Sequence, residues 1–140
     1  MMELATAEKG RYAPVSADIP LLSNLSVFRN IALIRQYHER LGREESHRLT
    51  TEALERFGLC GIAEKRPYDL SERDLFLVKL LRAAQRKEAL IVIDRPFVQI
   101  AGLRSFEWIR KHLELLDFPG IDAIILDYEW NGERYGSDGA

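Results

Sequence analysis

The sequence predicts an α/β fold with a helical insert, and three observations carry that prediction. Ala89–Ile93 is a short apolar run of the kind buried on both faces of a parallel sheet, and Ile121–Leu126 is a second strand, interrupted by Asp122 and continuously apolar from Ala123. A helical pattern between them, opened by Ser105, makes a strand–helix–strand unit, whose ordinary solution is a parallel crossover. Upstream, apolar residues recur at spacings of three and four from Val27 to Phe57, which sets a helical region between a short N-terminal strand and the two later ones.

Composition bounds the possibilities. The chain has 140 residues, 46% apolar and 30% charged, which suits one domain over residues 1–140. A formal net charge of −2 with mixed signs gives no electrostatic case for nucleic acid or an acidic membrane surface. Cys60 is alone, so no internal disulfide forms, and a small buried hydrophobe is the expectation for it. No apolar run approaches the roughly 18–20 residues needed to span a bilayer. The stretch MMELATAEKG lacks the basic start and apolar core of a signal peptide. A cytoplasmic protein is expected.

Taken in order, residues 1–10 are polar and small, a frayed lead-in. Arg11–Val15 is a short strand that Pro14 confines to an edge or an end. Residues 16–23 form a loop. Val27, Ile31, Ile34, Tyr37 and Leu41 make the stripe of a helix capped by Ser26 and ended by Gly42. A second helix spans about 44–57, with Leu49, Ala53, Leu54 and Phe57 as its apolar side and Gly58 as its stop. Residues 59–69 connect, with one helical turn at 63–66. Residues 24–70 thus form a helical subdomain.

The stretch from Arg66 to Phe97 organises the rest. Ser71 caps a helix running to about Gln85, with Asp74 three residues on in a capping-box arrangement. Leu77, Leu80, Leu81 and Ala84 are its buried side. A charged turn follows, then Ala89–Ile93, ending on Asp94. A loop–helix–strand–acid unit is how nucleotide-binding α/β proteins place a carboxylate at the carboxyl end of a strand. Ser105 opens a helix to about Leu116, and Phe118-Pro119-Gly120 breaks it. Asn131-Gly132 between aromatic residues is a strong hairpin signal. Residues 136–140 read as a disordered tail.

Other constellations have plainer explanations. His38, His47 and His112 have no metal-ligand spacing, and no metal site is expected. Serine never sits in a G-x-S-x-G elbow. Glu44, Glu45, Glu52 and Glu55 form a solvated face, and Trp108 and Trp130 are packing residues. Arg82, Arg86 and Lys87 meet a helix C-terminal dipole.

Several motifs together resemble the ATP-binding subunits of ABC transporters. Phe57-Gly58-Leu59 and Pro67-Tyr68-Asp69-Leu70-Ser71 look like the run into that family's LSGGQ signature, and the spacing from Leu70 to Asp94 is the family's, without a gap. Arg82 falls on the arginine of its "iARAL" segment. Ile91-Val92-Ile93-Asp94-Arg95-Pro96-Phe97 looks like the Walker B run "LLLDEPF" with one change. Leu25-Ser26-Val27-Phe28-Arg29-Asn30 resembles "LTVxEN", and Ile124–Glu129 resembles the histidine-switch strand. The resemblance implies a small three-stranded parallel sheet, the remnant of a P-loop NTPase core, with a helical subdomain and, from the tail signal, a C-terminal hairpin.

The departures sit at the chemical positions. The sequence contains no G-x-x-x-x-G-K-[ST], and only a short stretch precedes the glutamine-loop region, which implies a degenerate and truncated relative. Arg95 stands where the family has its catalytic glutamate, and it cannot act as a base. The glutamine-loop position falls at Ala17, or at Ser16 with a shift of one. Tyr128 replaces the switch histidine. Glu72, Arg73 and Asp74 replace the two glycines and the glutamine of the signature, putting negative charge where a helix N-terminus otherwise favours an anion. Ser71 and Asp94 are the vestigial nucleotide-binding positions; no catalytic residue remains.

What the resemblance implies is therefore a non-catalytic docking or accessory module for a membrane transport complex, with no cofactor. It would be cytoplasmic and peripheral at the inner membrane through a permease, whose short helix would enter a groove lined by Ala17, Leu21, Leu22, Val27 and Phe28. Two alternatives stand beside it. One is a nucleotide-binding component, using ATP and magnesium, that works only when a partner chain supplies the P-loop. The other is a regulatory partner that inhibits a complete ABC ATPase. The family's strand order also makes Ile121–Leu126 an edge, which the tail hairpin or a partner is expected to cover.

Overall fold

The computed structural model describes residues 12–116 and 122–136. The frayed lead-in, Arg11, the Phe118-Pro119-Gly120 breaker, Ile121 and the tail beyond Gly136 lie outside the described residues.

Three strands form one parallel sheet in the order β1 (Tyr12–Val15), β2 (Leu90–Asp94), β3 (Asp122–Leu126). Register aligns Val15 with Ile93 and Ile93 with Ile125, so the carboxyl ends of all three strands emerge together. Ile91, Val92 and Ile93 are all buried, which is why this strand shows no alternation. Pro14 is exposed on the outer strand β1, where its missing N–H costs no ladder bond.

Between β1 and β2 lie α1 (Val27–His38), α2 (Arg43–Arg56), two 3₁₀ turns at Cys60–Ile62 and Pro67–Asp69, and α3 (Glu72–Ala84). The Ser26 hydroxyl caps α1 by accepting from the Arg29 N–H, and Ser71 caps α3 by accepting from the Asp74 N–H. Helices α1 and α2 pack together, and α3 packs on α1 and β1. One continuous core results: Val27 and Ile31 of α1, Leu54 of α2, Phe76 and Leu80 of α3 and Ile93 of β2 are each no more than 1% exposed. Asn30, buried, closes the loop before α1, accepting from the Leu22 N–H at 2.8 Å and donating to the Leu22, Leu25 and Ser26 carbonyls. Beyond β2 come the short α4 (Pro96–Gln99) and α5 (Glu107–Leu116), whose Glu107 N–H donates to the Ser105 hydroxyl.

Five expectations change. The C-terminal segment is not a hairpin but a 3₁₀ helix, Glu129–Tyr135. Tertiary contacts outweigh the turn signal: the Asn131 amide donates to Asp127 at 2.9 Å, and the Tyr135 ring packs between Phe97 and Phe106. That segment folds toward α4 and α5, and among the described residues no strand pairs with the outer edge of β3. Gly42 does not end α1; it precedes α2, and the left-handed residue in the connection is Arg40 at φ 54°. Cys60 is exposed, because its 3₁₀ turn lies on the surface. Residues 63–66 are not a helical turn; the two 3₁₀ turns flank them. Trp130 is 76% exposed rather than packed in the core, stacking on Tyr128 instead.

Candidate functional site

The site lies where β1, β2 and β3 end side by side. Asp94 is the last residue of β2. Arg95 leaves the strand with left-handed backbone, φ 47° and ψ 64°, a conformation that costs a non-glycine residue about 1 kcal/mol. Its N–H still donates to the Leu126 carbonyl at 2.7 Å, so the turn is anchored to β3. The guanidinium then folds back over its own neighbour. Nε donates to Asp94 Oδ1 at 3.0 Å and Nη2 to Oδ2 at 3.2 Å. Nη1 donates to the Tyr128 hydroxyl at 3.4 Å, and Asp18 lies 3.5 Å from Nη2. The hydrogen bond to Asp94, and then that to Tyr128, hold Arg95 more firmly protonated than a free arginine.

Asp94 has a further partner. The buried Ser16 hydroxyl donates to Oδ2 at 3.2 Å and accepts from the Asp18 N–H at 3.1 Å. Ser16 thus follows the last residue of β1 and ties that strand end to Asp94. Ala17 is exposed and turns instead toward a cavity of about 190 Å³ shared with Glu72, Lys79 and Gln99.

The start of α3 is occupied by its own chain. Ser71 is the cap. Glu72 accepts from the Ala101 N–H at 2.9 Å, tying α3 to the segment after α4. Arg73 lies over the Trp108 ring at 4.9 Å, a cation–π contact. Asp94, Arg95 and Tyr128 are thus brought together, whereas Ser71, Arg73 and Asp74 serve the helix and its neighbours.

Two residues here escaped the sequence reading. Lys79 is 5% exposed, and its ammonium donates to the Ser16 carbonyl at 2.9 Å. Burial, and then the nearby Arg82, lower its proton affinity, with Asp18 opposing. A single lysine inside the apolar run Leu75–Leu81 was the available signal. Gln99 donates to both the Val15 and Asp94 carbonyls at 2.9 Å, bridging the ends of β1 and β2; nothing local in the sequence marks it. Arg82 also departs from expectation: it donates to the Pro20 and Ile19 carbonyls, bracing the loop after β1 rather than the helix dipole.

The groove expected from Ala17, Leu21, Leu22, Val27 and Phe28 is not one surface. Leu21 and Val27 are 5% and 0% exposed and belong to the core that α1 shares with its neighbouring helices. Leu22 remains 53% exposed and Phe28 half-buried.

These residues do not match the donors of a magnesium–nucleotide site. Both Asp94 oxygens already take the guanidinium, a fixed cation beside the carboxylate repels a metal ion, and Glu72 and Asp74 bring carboxylates to the α3 N-terminus.

No family model matches the chain. It is 36% identical over 113 residues to the thiamine import ATP-binding protein ThiQ of Jannaschia sp. (strain CCS1), covering 80% of this chain and 48% of that protein. It is 24% identical over 136 residues to ThiQ of Ruegeria sp. (strain TM1040), covering 95% and 58%. The chain thus spans about half the length of these relatives. Among solved structures, it matches cbiO1 of Clostridium perfringens, part of the ABC transporter complex cbiONQ, with a TM-score of 0.69 at 21% identity, over 92% of this chain and 51% of that one. It matches a post-hydrolysis dimer of the ATP-binding cassette MJ0796, bound to ADP and Pi, with a TM-score of 0.66 at 22% identity, over 93% and 57%.

Proposed function

Because the chain belongs to the family of ABC-transporter ATP-binding subunits, spanning about half of its matched relatives, we propose that it is a non-catalytic docking or accessory module of a membrane transport complex. The observation that carries this reading is the grip of Arg95 on Asp94. A carboxylate at a strand end serves a metal ion only if its oxygens are free to coordinate it. Here an adjacent guanidinium takes both, and it holds its proton too firmly to act as a base.

The strand ends around that position are nevertheless braced. Ser16, Lys79 and Gln99 lock the strand ends, and the α1–α2 pair packs on the same core as the sheet. A rigid sheet carrying a helical pair, with the metal position filled, suits presentation of a surface better than turnover. Of the expected groove, Leu22, Phe28 and Ala17 remain available, so docking is read at these residues. By analogy with the thiamine-import names of the relatives, the partner is the permease of an importer of that class, or a complete ATP-binding subunit of it.

Capture of a detergent-solubilised permease encoded beside this gene tests the reading. Retention by the parent chain and loss with Leu22→Asp are expected; no retention by the parent chain overturns it. Calorimetry with Mg-ATP separates the nucleotide-binding alternative, since heat of binding in the chain alone or with its partner would favour that alternative.

A further inference from the structure

Lys79 is a buried cation without a counter-charge. It is 5% exposed, yet among the described residues no carboxylate forms an ion pair with it. A lysine ammonium carries three N–H donors. One goes to the Ser16 carbonyl at 2.9 Å, and the chain gives the others no acceptor among the described residues. Buried charges are ordinarily paired and hydrogen-bonded, because leaving them otherwise is costly. The same side chain lines the cavity of about 190 Å³ beside α3. That volume is below the roughly 300–1,000 Å³ of sites for drug-sized ligands, so it suits a molecule of amino-acid size.

The other polar groups of the lining are acceptors. Gln99 spends its Nε2 on the Val15 and Asp94 carbonyls, which leaves the amide oxygen for a ligand. Val15 and Ser16 are consecutive, so the carbonyls that hold Gln99 and Lys79 are one residue apart and bring a donor and an acceptor close together. Glu72 lies two turns before Lys79 on the same face of α3, and only its Oε1 is taken, by the Ala101 N–H. Leu75, Phe76 and Val98 supply apolar wall. A phosphate would meet one cation and face Glu72. A plain carboxylate would answer Lys79 and leave the Gln99 oxygen without a donor. A zwitterion with an apolar side chain answers all three kinds of wall.

We propose that this cavity is a binding site for a small apolar α-amino acid, whose carboxylate accepts from Lys79, whose ammonium donates to the Gln99 amide oxygen on the Glu72 side, and whose side chain lies against Leu75, Phe76 and Val98. The bound carboxylate supplies the counter-charge that the chain does not. Because Lys79 and Gln99 both brace the ends of β1 and β2, an occupant would tighten the strand ends on which Asp94 and Arg95 sit. The site stands independently of the docking reading, with which it shares only Ala17.

The test is an amide NMR titration of the full chain with three probes of one shape: free leucine, isocaproate, which lacks the amine, and isopentylamine, which lacks the carboxylate. Leucine at about 10 mM, ten times the Kd of a millimolar site, is expected to shift the amides of Ser16, Ala17, Lys79 and Gln99. Each half-probe should bind about tenfold more weakly or worse, since each forfeits a hydrogen bond to a charged group. Lys79→Met, which keeps the volume and removes the charge, should abolish the leucine shifts. Val98→Trp, a change at an exposed lining position, should weaken them by narrowing the mouth while the amides of the distant α2 stay in place. Absence of leucine shifts in the parent chain overturns the proposal. So does equal binding of leucine and either half-probe, and so do leucine shifts retained in Lys79→Met. Should Lys79→Met fail to fold, the half-probes and Val98→Trp decide alone.

Discussion

Arg95 is bonded through two nitrogens to the carboxylate of the residue that precedes it, Asp94. Sequence neighbours on a strand point to opposite faces and do not meet in this way. The left-handed turn at Arg95 makes it possible, and the Leu126 carbonyl pins that turn. The pair sets the character of the strand ends, because a metal ion and a guanidinium compete for the same oxygens.

Arg95→Glu should therefore change metal behaviour. Magnesium is expected to shift the Asp94 amide in this variant and to leave it unmoved in the parent chain at equal concentration. Arg95→Gly should leave the urea midpoint close to that of the parent, since relief of the left-handed backbone offsets a solvent-screened ion pair. A clear fall in the midpoint would show that the grip holds the sheet together.

Lys79 gives an alkaline signature. Burial lowers its proton affinity in the folded chain from an ordinary value of 10.5, so the unfolded chain binds the proton more tightly. Between the lowered value and 10.5 the unfolded state holds more protons, and stability should rise with pH through that window. Urea titrations of Lys79→Met should lack this rise and match or exceed the parent near neutral pH, because a buried charge with one acceptor is removed at similar volume. Lys79→Ala should cost about 1–3 kcal/mol through the cavity it leaves.

The C-terminal segment gives an acid signature. Burial alone would raise Asp127, but hydrogen bonds from Tyr135, Asn131 and the Tyr128 N–H outweigh it and hold its carboxyl below its ordinary 3.8. Stability from this group is present above 3.8 and is lost as pH falls through the depressed value. Fluorescence of Trp130, which sits in the same 3₁₀ helix, should report loosening in that range. In Tyr135→Phe the loosening should begin at higher pH, with about 1 kcal/mol lost at neutrality.

Ser71 is the last case. Ser71→Ala removes the acceptor for the Asp74 N–H and should cost about 1 kcal/mol, while Ser71→Asp should restore most of it. Equal loss in both variants would point to a role for the hydroxyl beyond capping.

How much could be read beforehand follows the range of the interactions. The helices over Val27–His38 and Glu72–Ala84, their caps Ser26 and Ser71 and the buried strand Leu90–Asp94 rest on local pattern and neighbouring residues, so one stretch of chain was enough to reveal them. Tertiary structure decided the rest. Asn131-Gly132 became a 3₁₀ helix because Asp127, Phe97 and Phe106 offered contacts that no hairpin would keep. Leu21 and Val27 left the expected groove because the core took them. Ser16 and Gln99 joined the site through bonds to Asp94, 78 and five residues away along the chain. The sequence by itself determined which segments are helix and strand, since propensity, capping and periodicity act over a few residues. Only the fold decided which polar groups meet at the strand ends, because those meetings depend on strand register and on which surfaces the core consumes.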